Sequence, residues 1–288
     1  MKGSSSRLVA HLAEFIHETS SSLPDDAEQA LKKALRREAK GSSARMVLET
    51  ILQNVALART AGTPVCQDTG TLTFFVSENL RRTVTPEVLA KAVAFATEQG
   101  WLRRNTNDAV TGQSIDTNVC PGAPVVHYVV KENGEKGEGW IKLIMKGGGS
   151  ENMSMQLSLP DASIHAGRDL EGVRRAILSA VQHAQGYGCA PGILGVCIGG
   201  DRAAGFEEAK HQLLRNLADV NPDPTLAKLE KRVLREANTL GIGPMGLGGK
   251  TTLLAVKIGK RPRVPASFFV TIAYLCWAAR RRELKIKD

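Results

Sequence analysis

The sequence PVCQDTG at residues 64–70 carries a thiol, a carboxamide, a carboxylate and a hydroxyl on four consecutive positions, Cys66, Gln67, Asp68 and Thr69. Apolar residues recur at helical spacing over residues 45–61, and residues 71–76 are rich in β-branched and aromatic side chains. These patterns predict a helix, a tight polar loop and a buried strand, in that order. Because loops held by a rigid scaffold concentrate binding and catalytic groups, we expect this loop to be functional. The plainer interpretation is that Cys66 is a small buried residue beside a turn.

The length of 288 residues and the hydrophobic fraction of 42% are ample for a large core. No internal repeat or clear linker divides the chain, so we predict a single large domain over residues 1–288. The longest apolar run, residues 266–279, has 14 residues and contains Thr271, which is too short to span a membrane. The N-terminus leads into an amphipathic helix rather than the unbroken apolar core of a signal peptide. We therefore expect a cytoplasmic protein without a membrane segment.

The charge balance is basic, with a formal net charge of +9. Nucleic-acid binding would explain such a charge. However, the basic residues alternate with glutamates along predicted helices, and only 5% of residues are aromatic, which leaves no platform for stacking bases. Solvated helix surfaces explain the charge more simply, and a mild attraction for small anionic substrates also fits. A basic nucleic-acid-binding protein is kept as the alternative from a different class.

Periodicity predicts helices and strands in an irregular alternation. The predicted helices are three within the first 60 residues, one over 86–99 capped by Thr85, one over 169–185, and two polar helices up to residue 240. The predicted strands include a β-hairpin over residues 125–131 and 140–145 with Asn133-Gly134 in its turn, and strands over 153–159 and 253–258. The C-terminal segment resembles a helix whose last turn is basic, at residues 280–282. This predicts an α/β or α+β fold, with mixed sheets flanked by helices.

Two glycine-rich segments indicate close backbone approach. Residues 146–152, KGGGSEN, follow a predicted strand, and three glycines there let backbone N–H groups reach a bound oxyanion; a flexible turn is the alternative. Residues 241–252, GIGPMGLGGKTT, match a dinucleotide-binding pattern and nearly match a P-loop. Pro244 stands where the P-loop needs glycine, and a helix precedes the segment while a strand follows it. This order is the reverse of both nucleotide motifs, so we reject them.

Five cysteines are present, namely Cys66, Cys120, Cys189, Cys197 and Cys276. Their odd number and the cytoplasmic context argue against a disulfide framework, and the lack of C-x-x-C or C-x-x-H pairs argues against structural zinc. By position, Cys189 at a loop entrance suits a ligand better than Cys197 within an apolar run. A buried structural thiol is the alternative for Cys276. Three distant thiolates, Cys66, Cys189 and Cys276, can hold a [4Fe–4S] cluster with one open iron, a Lewis acid suited to dehydrating a hydroxy acid.

Four motifs in this order resemble the iron–sulfur class I fumarate hydratases and L-tartrate dehydratases, most closely the alpha subunit of the two-subunit forms. They are CQDTG at 66–70, KGGGSEN at 146–152, GGDR at 199–202 and the 241–252 segment, and the resemblance covers residues 10–282. It implies Cys66, Cys189 and Cys276 as the cluster ligands, because their separations fit the family.

The resemblance also implies substrate contacts. Gln67 and Asp68 would touch substrate beside the cluster, with Asp68 acting in proton transfer. Arg103, or its neighbour Arg104, would bind a substrate carboxylate, and Gly149 would give a backbone N–H to a carboxylate. One departure from the family is Val264, which stands where single-chain members carry a histidine twelve residues before the last cluster cysteine.

Finally, the resemblance implies that the chain is half of an enzyme. Further arginines, a lysine and the proton-abstracting hydroxyl would come from a beta-type subunit, in an α2β2 hetero-oligomer. The expected activity is a hydro-lyase that interconverts (S)-malate and fumarate. The alternatives are conversion of L-tartrate to oxaloacetate or dehydration of a related dicarboxylate, and an iron–sulfur scaffold without catalysis if no beta partner exists.

Overall fold

The computed structural model describes residues 2–130 and 138–286. Contacts divide the chain into two compact units, one of residues 1–24, 53–148 and 278–288, the other of residues 25–52 and 149–277. The single domain over residues 1–288 stays a prediction. The described helices are α1 Lys2–Ser21, α2 Asp25–Arg37, α3 Ser43–Ala61, α4 Pro86–Glu98, α5 Gly148–Asn152, α6 Leu170–Ala184, α7 Arg202–Gln212 and α8 Pro224–Thr239.

The described strands are β1 Thr71–Ser77, β2 Thr106–Asn107, β3 Ser114–Ile115, β4 Val125–Val129, β5 Gly139–Lys146, β6 Met155–Ser158, β7 Gly192–Gly199, β8 Leu253–Arg261, β9 Phe269–Leu275 and β10 Arg280–Ile286. The mixed sheets flanked by helices confirm the predicted fold class. No described helix is both long and apolar enough to cross a membrane.

Local sequence explains where the helices begin. The Thr85 hydroxyl accepts a hydrogen bond from the Val88 N–H, with Pro86 in the first turn, as predicted. Asp169 caps α6 through the Gly172 N–H at 2.7 Å, and Asp201 and Asp223 cap α7 and α8 in the same way. These side chains satisfy N–H groups that the helix itself leaves unpaired.

The first unit contains a four-stranded sheet in the order β10-β5-β1-β4. The predicted hairpin of β4 and β5 is wrong, because β1 lies between them, parallel to β4 and antiparallel to β5. The reason is the burial of β1, which is covered from Leu72 to Ser77 and takes a partner on each edge. The predicted turn at Asn133-Gly134 lies outside the described residues. Helices α1 and α4 pack together, and their apolar residues join those of β1 and β5 in one core.

The second unit contains a four-stranded sheet in the order β6-β9-β7-β8, with β7 parallel to β8 and antiparallel to β9. Apolar residues of α6 and α8 cover it in a second core. The predicted C-terminal helix is wrong, because residues 269–275 and 280–286 are the strands β9 and β10. Val270, Thr271 and Ile272 are β-branched and buried, so they favour a central strand over a helix.

Candidate active site

The loop at residues 64–70 is fixed from both sides within the first unit. The Asn54 amide donates to the Val65 carbonyl at 2.9 Å, and the Thr69 hydroxyl donates to the Arg103 carbonyl at 2.8 Å. Gly70 has a φ of +74°, and a Cβ there would lie 2.5 Å from the carbonyl carbon and oxygen of Lys146. Only glycine fits this approach to the end of β5. The loop is therefore a built structure, as the sequence predicts.

Asp68 is the best-organised polar group of this loop. Its Oδ1 accepts from the Gly70 N–H at 2.8 Å and from the Asn105 amide at 2.8 Å, and its Oδ2 accepts from the Gly148 N–H at 2.6 Å. Three neutral donors thus hold the carboxylate in one orientation. Because an ionised carboxylate offers about four acceptor sites, one site remains, on Oδ2.

Asn105 and Asn118 are functional candidates that the sequence reasoning did not single out. The Asn118 side chain, from a backbone with a φ of +57°, accepts from the N–H groups of Asn105 and Thr106 and donates to the Arg103 carbonyl at 2.9 Å. Asn118 therefore fixes the loop that carries Arg103 and Asn105, and Asn105 is the residue that donates to Asp68. The available signal was the density of amide side chains between residues 105 and 118.

A cleft of about 220 Å³ opens beside this carboxylate, lined by Asp68, Thr71, Asn105, Asn118, Pro124 and Gly148. Gln67 and both arginines, Arg103 and Arg104, are exposed. The Arg103 backbone is fixed through Thr69, but the geometry does not choose between the two guanidinium groups. The first unit thus brings Cys66, Gln67, Asp68 and Arg103 to one loop cluster, and their roles stay a prediction.

Cys66 is half-buried, and its sulfur lies 3.5 Å from the Asp68 N–H, which donates to it. Hydrogen bonds from backbone amides to sulfur stabilise negative charge on a thiolate or a metal-bound sulfur. The cysteine therefore lies at a surface position with a donor in place, which favours the ligand interpretation over a buried structural thiol.

The glycine run at residues 146–152 is neither an open loop nor a flexible turn. It enters the short helix α5, whose first residue Gly148 donates to Asp68. A Cβ at Gly147 would lie 2.9 Å from the Asp68 Oδ2, so this glycine allows the close approach. Gly149, the residue predicted to meet a carboxylate, is exposed and belongs to the second unit.

The second unit brings Cys189 and Cys276 together at one end of its sheet. Ile193 of β7 is paired with Leu275 of β9, and the Trp277 N–H donates to the Cys189 carbonyl at 3.2 Å. Cys189 has a φ of +54°, a conformation that is uncommon for a residue with a side chain and that recurs at functional sites. Cys276 is 8% exposed and lies just after a strand, not on a helix.

Cys197 and Cys120 differ from these three. Cys197 lies within β7 with no exposed surface, and burial, followed by the charge of Glu208, raises its pKa to about 12. Its thiol stays protonated at neutral pH, so it is a poor metal ligand. The choice of Cys189 as a ligand stays a prediction. Cys120 is half-buried at an isolated bridge to Ala123, in the first unit.

Thr251, Tyr274 and Arg280 are buried polar side chains without a hydrogen-bond partner among the described residues. The sequence reasoning missed the roles of Tyr274 and Arg280. Tyr274 is 2% exposed, and burial, followed by the charges of Cys276 and Cys189, raises its pKa. Arg280 is fully buried on β10 with all three guanidinium nitrogens unpaired. Its Nη2 lies 3.8 Å from where a Gly147 Cβ would stand. Buried polar groups without partners are uncommon and need an explanation.

The glycine-rich segment at residues 241–252 connects α8 to β8, in the predicted order of helix and then strand. Both Glu38 carboxylate oxygens accept from the Lys250 N–H, at 2.9 and 3.0 Å. This backbone donor, which a phosphate would need, already has a partner. Val264, the departure from the family pattern, is 65% exposed between β8 and β9.

The family model described as fumarate hydratase (Fumerase) matches residues 9–285. The chain belongs to this family. It is 46% identical over 280 residues to a Geobacillus stearothermophilus protein named as a class I fumarate hydratase, covering 96% of this chain and 54% of that protein.

Two relatives named as L(+)-tartrate dehydratase alpha subunits are similar over most of their own length. The Methanocaldococcus jannaschii protein is 33% identical, with 96% of each chain covered. The Escherichia coli K12 protein is 29% identical, with 97% of this chain and 91% of the subunit covered. The chain thus spans about half of the fumarate hydratase relative but nearly all of an alpha subunit.

Proposed function

We propose that this chain is the alpha-type component of a [4Fe–4S] hydro-lyase that interconverts (S)-malate and fumarate. The main support is the sequence identity. The chain is 46% identical to a relative named as a class I fumarate hydratase but only 29–33% identical to relatives named as tartrate dehydratase alpha subunits. Family membership also favours a hydro-lyase over a nucleic-acid-binding protein. Several basic side chains are in ion pairs, such as Arg174 with Glu171 and Arg215 with Glu230.

Cys66, Cys189 and Cys276 would hold the cluster. The donor set fits, because the chain segments that carry Cys189 and Cys276 are hydrogen-bonded to each other and Cys66 already receives an N–H donor. A buried tyrosine hydroxyl without a partner belongs to the same end of the sheet as Cys189 and Cys276. No three His, Cys, Asp or Glu side chains of the described residues are grouped to hold a single metal ion. A four-iron cluster is a different requirement, since each thiolate binds a different iron. When bound, the cluster supplies a Lewis-acidic iron for the hydroxyl and a carboxylate of the substrate.

The residues of the first unit orient the substrate. Asp68 keeps one acceptor site on Oδ2, and that site suits the proton of a substrate hydroxyl or of water. The exposed Arg103 can form a bidentate pair with a carboxylate, because its backbone is held by Thr69 and Asn118. Gln67, exposed beside Cys66, offers an amide to the same ligand. Asn105 holds the Asp68 carboxylate and acts as a positioning residue.

A beta-type subunit would complete the enzyme, in an α2β2 assembly. The names of the alpha-subunit relatives support this proposal, as does the half-length match to the fumarate hydratase relative. A dicarboxylate has two charged ends, and Arg103 accounts for one. None of the five cysteines forms a disulfide within the described part of the chain, which fits the reducing cytoplasm, where we place the protein.

The test is anaerobic reconstitution of the cluster, followed by an assay of malate dehydration through fumarate absorbance, with and without a co-expressed beta-type subunit. We expect activity only with the partner, and a greater kcat/KM for malate than for L-tartrate. Arg103→Gln should raise the KM for malate more than Arg104→Gln does, and the reverse order would assign the carboxylate contact to Arg104. A higher kcat/KM for tartrate would replace the fumarate assignment by the tartrate alternative.

A further inference from the structure

Tyr274 carries a buried hydroxyl for which the fold of this unit provides no acceptor. Its side chain is 2% exposed, and its Oη makes no hydrogen bond to the described residues. A tyrosine hydroxyl that is buried usually finds a partner, because its loss of hydration is otherwise uncompensated. A phenylalanine would fill the same space without this cost. The hydroxyl therefore points to an acceptor that binds to the protein.

The ring is held rigidly by the loop that carries Cys189. A Cβ at Gly188 would lie 2.5 Å from the ring Cε1, and a Cβ at Gly192 would lie 2.4 Å from Cζ and Oη. These glycines lie on either side of Cys189 in the sequence. Because a side chain at either position would overlap the ring, both positions need glycine for the ring to pack against this loop. The Tyr274 backbone is fixed as well, since its N–H donates to the Ser154 hydroxyl at 3.1 Å.

Cys189 and Cys276 lie on the chain segments beside the Tyr274 ring. Tyr274 is the penultimate residue of β9, which ends immediately before Cys276, and it is paired with Leu194 of β7. The hydrogen bond from the Trp277 N–H to the Cys189 carbonyl closes the same end of the sheet. Both proposed cluster ligands thus lie on the segments that enclose the ring.

We infer that the Tyr274 hydroxyl donates a hydrogen bond to a sulfur of the [4Fe–4S] cluster, either a ligating thiolate or a bridging sulfide. This inference rests on the proposed cluster. A sulfur acceptor becomes more negative when the cluster is reduced, so an O–H donor stabilises the reduced form more than the oxidised form. Tyr274 would thus raise the reduction potential of the cluster, as hydrogen bonds to cluster sulfurs do. It is a positioning and tuning residue, because it touches the cofactor and not the substrate.

The test compares Tyr274→Phe with Tyr187→Phe in the reconstituted chain together with its beta-type partner. Tyr187 is a suitable control, because it lies two residues before Cys189 but is 76% exposed. The measurements are iron and sulfide content, a redox titration followed by EPR, and proton ENDOR of the reduced cluster in H2O and D2O. We expect Tyr274→Phe to keep the cluster, to shift its potential to a more negative value, and to lose one exchangeable proton coupling. Tyr187→Phe should match the wild type in all three.

The outcomes separate this inference from the proposed function. Wild-type protein that binds no iron and sulfide would overturn the cluster and the inference with it. A cluster that loads normally, with the same potential and the same proton couplings in Tyr274→Phe, would overturn the inference alone. If Tyr274→Phe does not fold, 3-fluorotyrosine is incorporated into the Tyr187→Phe variant, in place of its two remaining tyrosines, Tyr128 and Tyr274. The more acidic phenol is a stronger donor, so the potential should become less negative, and an unchanged potential would refute the hydrogen bond.

Discussion

Gly70→Ala should destabilise the protein far more than Gly100→Ala, although both glycines have the same backbone conformation. Gly70 has a φ of +74°, and Gly100, at the end of α4, has a φ of +72°. An alanine at either position must adopt the left-handed conformation. At Gly100 the added Cβ meets nothing within 4 Å, whereas at Gly70 it would lie 2.5 Å from the Lys146 carbonyl and 2.7 Å from the Gly147 nitrogen. A comparison of the two alanine variants therefore separates the cost of backbone strain from the cost of steric overlap.

The magnitudes follow from these two terms. The left-handed conformation costs alanine roughly 1–2 kcal/mol, offset by about 0.4–1 kcal/mol because alanine restricts the unfolded chain. Gly100→Ala should thus lower the free energy of unfolding by about 1 kcal/mol. At Gly70 the overlap adds roughly 1–3 kcal/mol, because its neighbours are backbone atoms that cannot rotate away. Gly70→Ala should therefore cost about 2–4 kcal/mol in total.

The assay is urea denaturation of the cluster-free chain, followed by iron content after reconstitution. Gly70→Ala should also retain less iron, because relief of the overlap moves the segment that carries Cys66 and Asp68. Gly100→Ala should keep the wild-type iron content. Equal losses of stability in the two variants, with equal iron, would mean that contact with the end of β5 does not position the loop.

Three further predictions concern the site. The variants Cys66→Ser, Cys189→Ser and Cys276→Ser should each lose iron and activity, whereas Cys120→Ser and Cys197→Ser should keep both; a colourless Cys197→Ser beside an intact Cys189→Ser would reverse the assignment. Gly149→Ala should keep the cluster, because its added methyl group would lie 3.6 Å from the Tyr187 carbonyl oxygen, an ordinary van der Waals distance. The variant should raise the KM for substrate. An unchanged KM would mean that this glycine has only a structural role. Arg280→Met should stabilise the cluster-free chain by about 1–4 kcal/mol in urea denaturation, because it removes an unpaired buried charge, while Arg282→Met, which loses a 2.7 Å bond to Ser22, should not.

The local features of the fold could be predicted because their causes are local. Thr85 caps α4, and Asp169 caps α6, through side chains a few residues from the N–H groups that they bind. The polar loop between α3 and β1 was predicted from the periodicity on either side of it. In each case the energy that decides the structure comes from neighbours in sequence.

Pairing between distant segments could not be predicted in the same way. The segments 125–131 and 140–145 resemble a hairpin, but β1, from more than 45 residues earlier in the chain, lies between their strands. The basic residues at the end of the C-terminal apolar segment predict a helix there, because they suit a helix end. In the structure, β10 instead forms the edge partner of β5, with Arg280 paired with Met145. Likewise, the partners of Asp68 lie about 37 and 80 residues away, at Asn105 and Gly148. Such contacts depend on the tertiary fold, so a sequence pattern cannot specify them.

Arg280 shows how an unpaired group in the fold can point to function. A buried guanidinium without an anion is destabilising by several kcal/mol, so a fold selected for stability alone would replace it with an apolar residue of similar volume. It lies close to Gly147, and so near the carboxylate of Asp68, yet Asp68 is already bound by three neutral donors and forms no ion pair with it. The Arg280 guanidinium therefore has no hydrogen-bond partner among the described residues. The same reasoning applies to the hydroxyl of Tyr274. Tyr274 lies on β9 and Arg280 on β10, and each has a buried donor without an acceptor among the described residues.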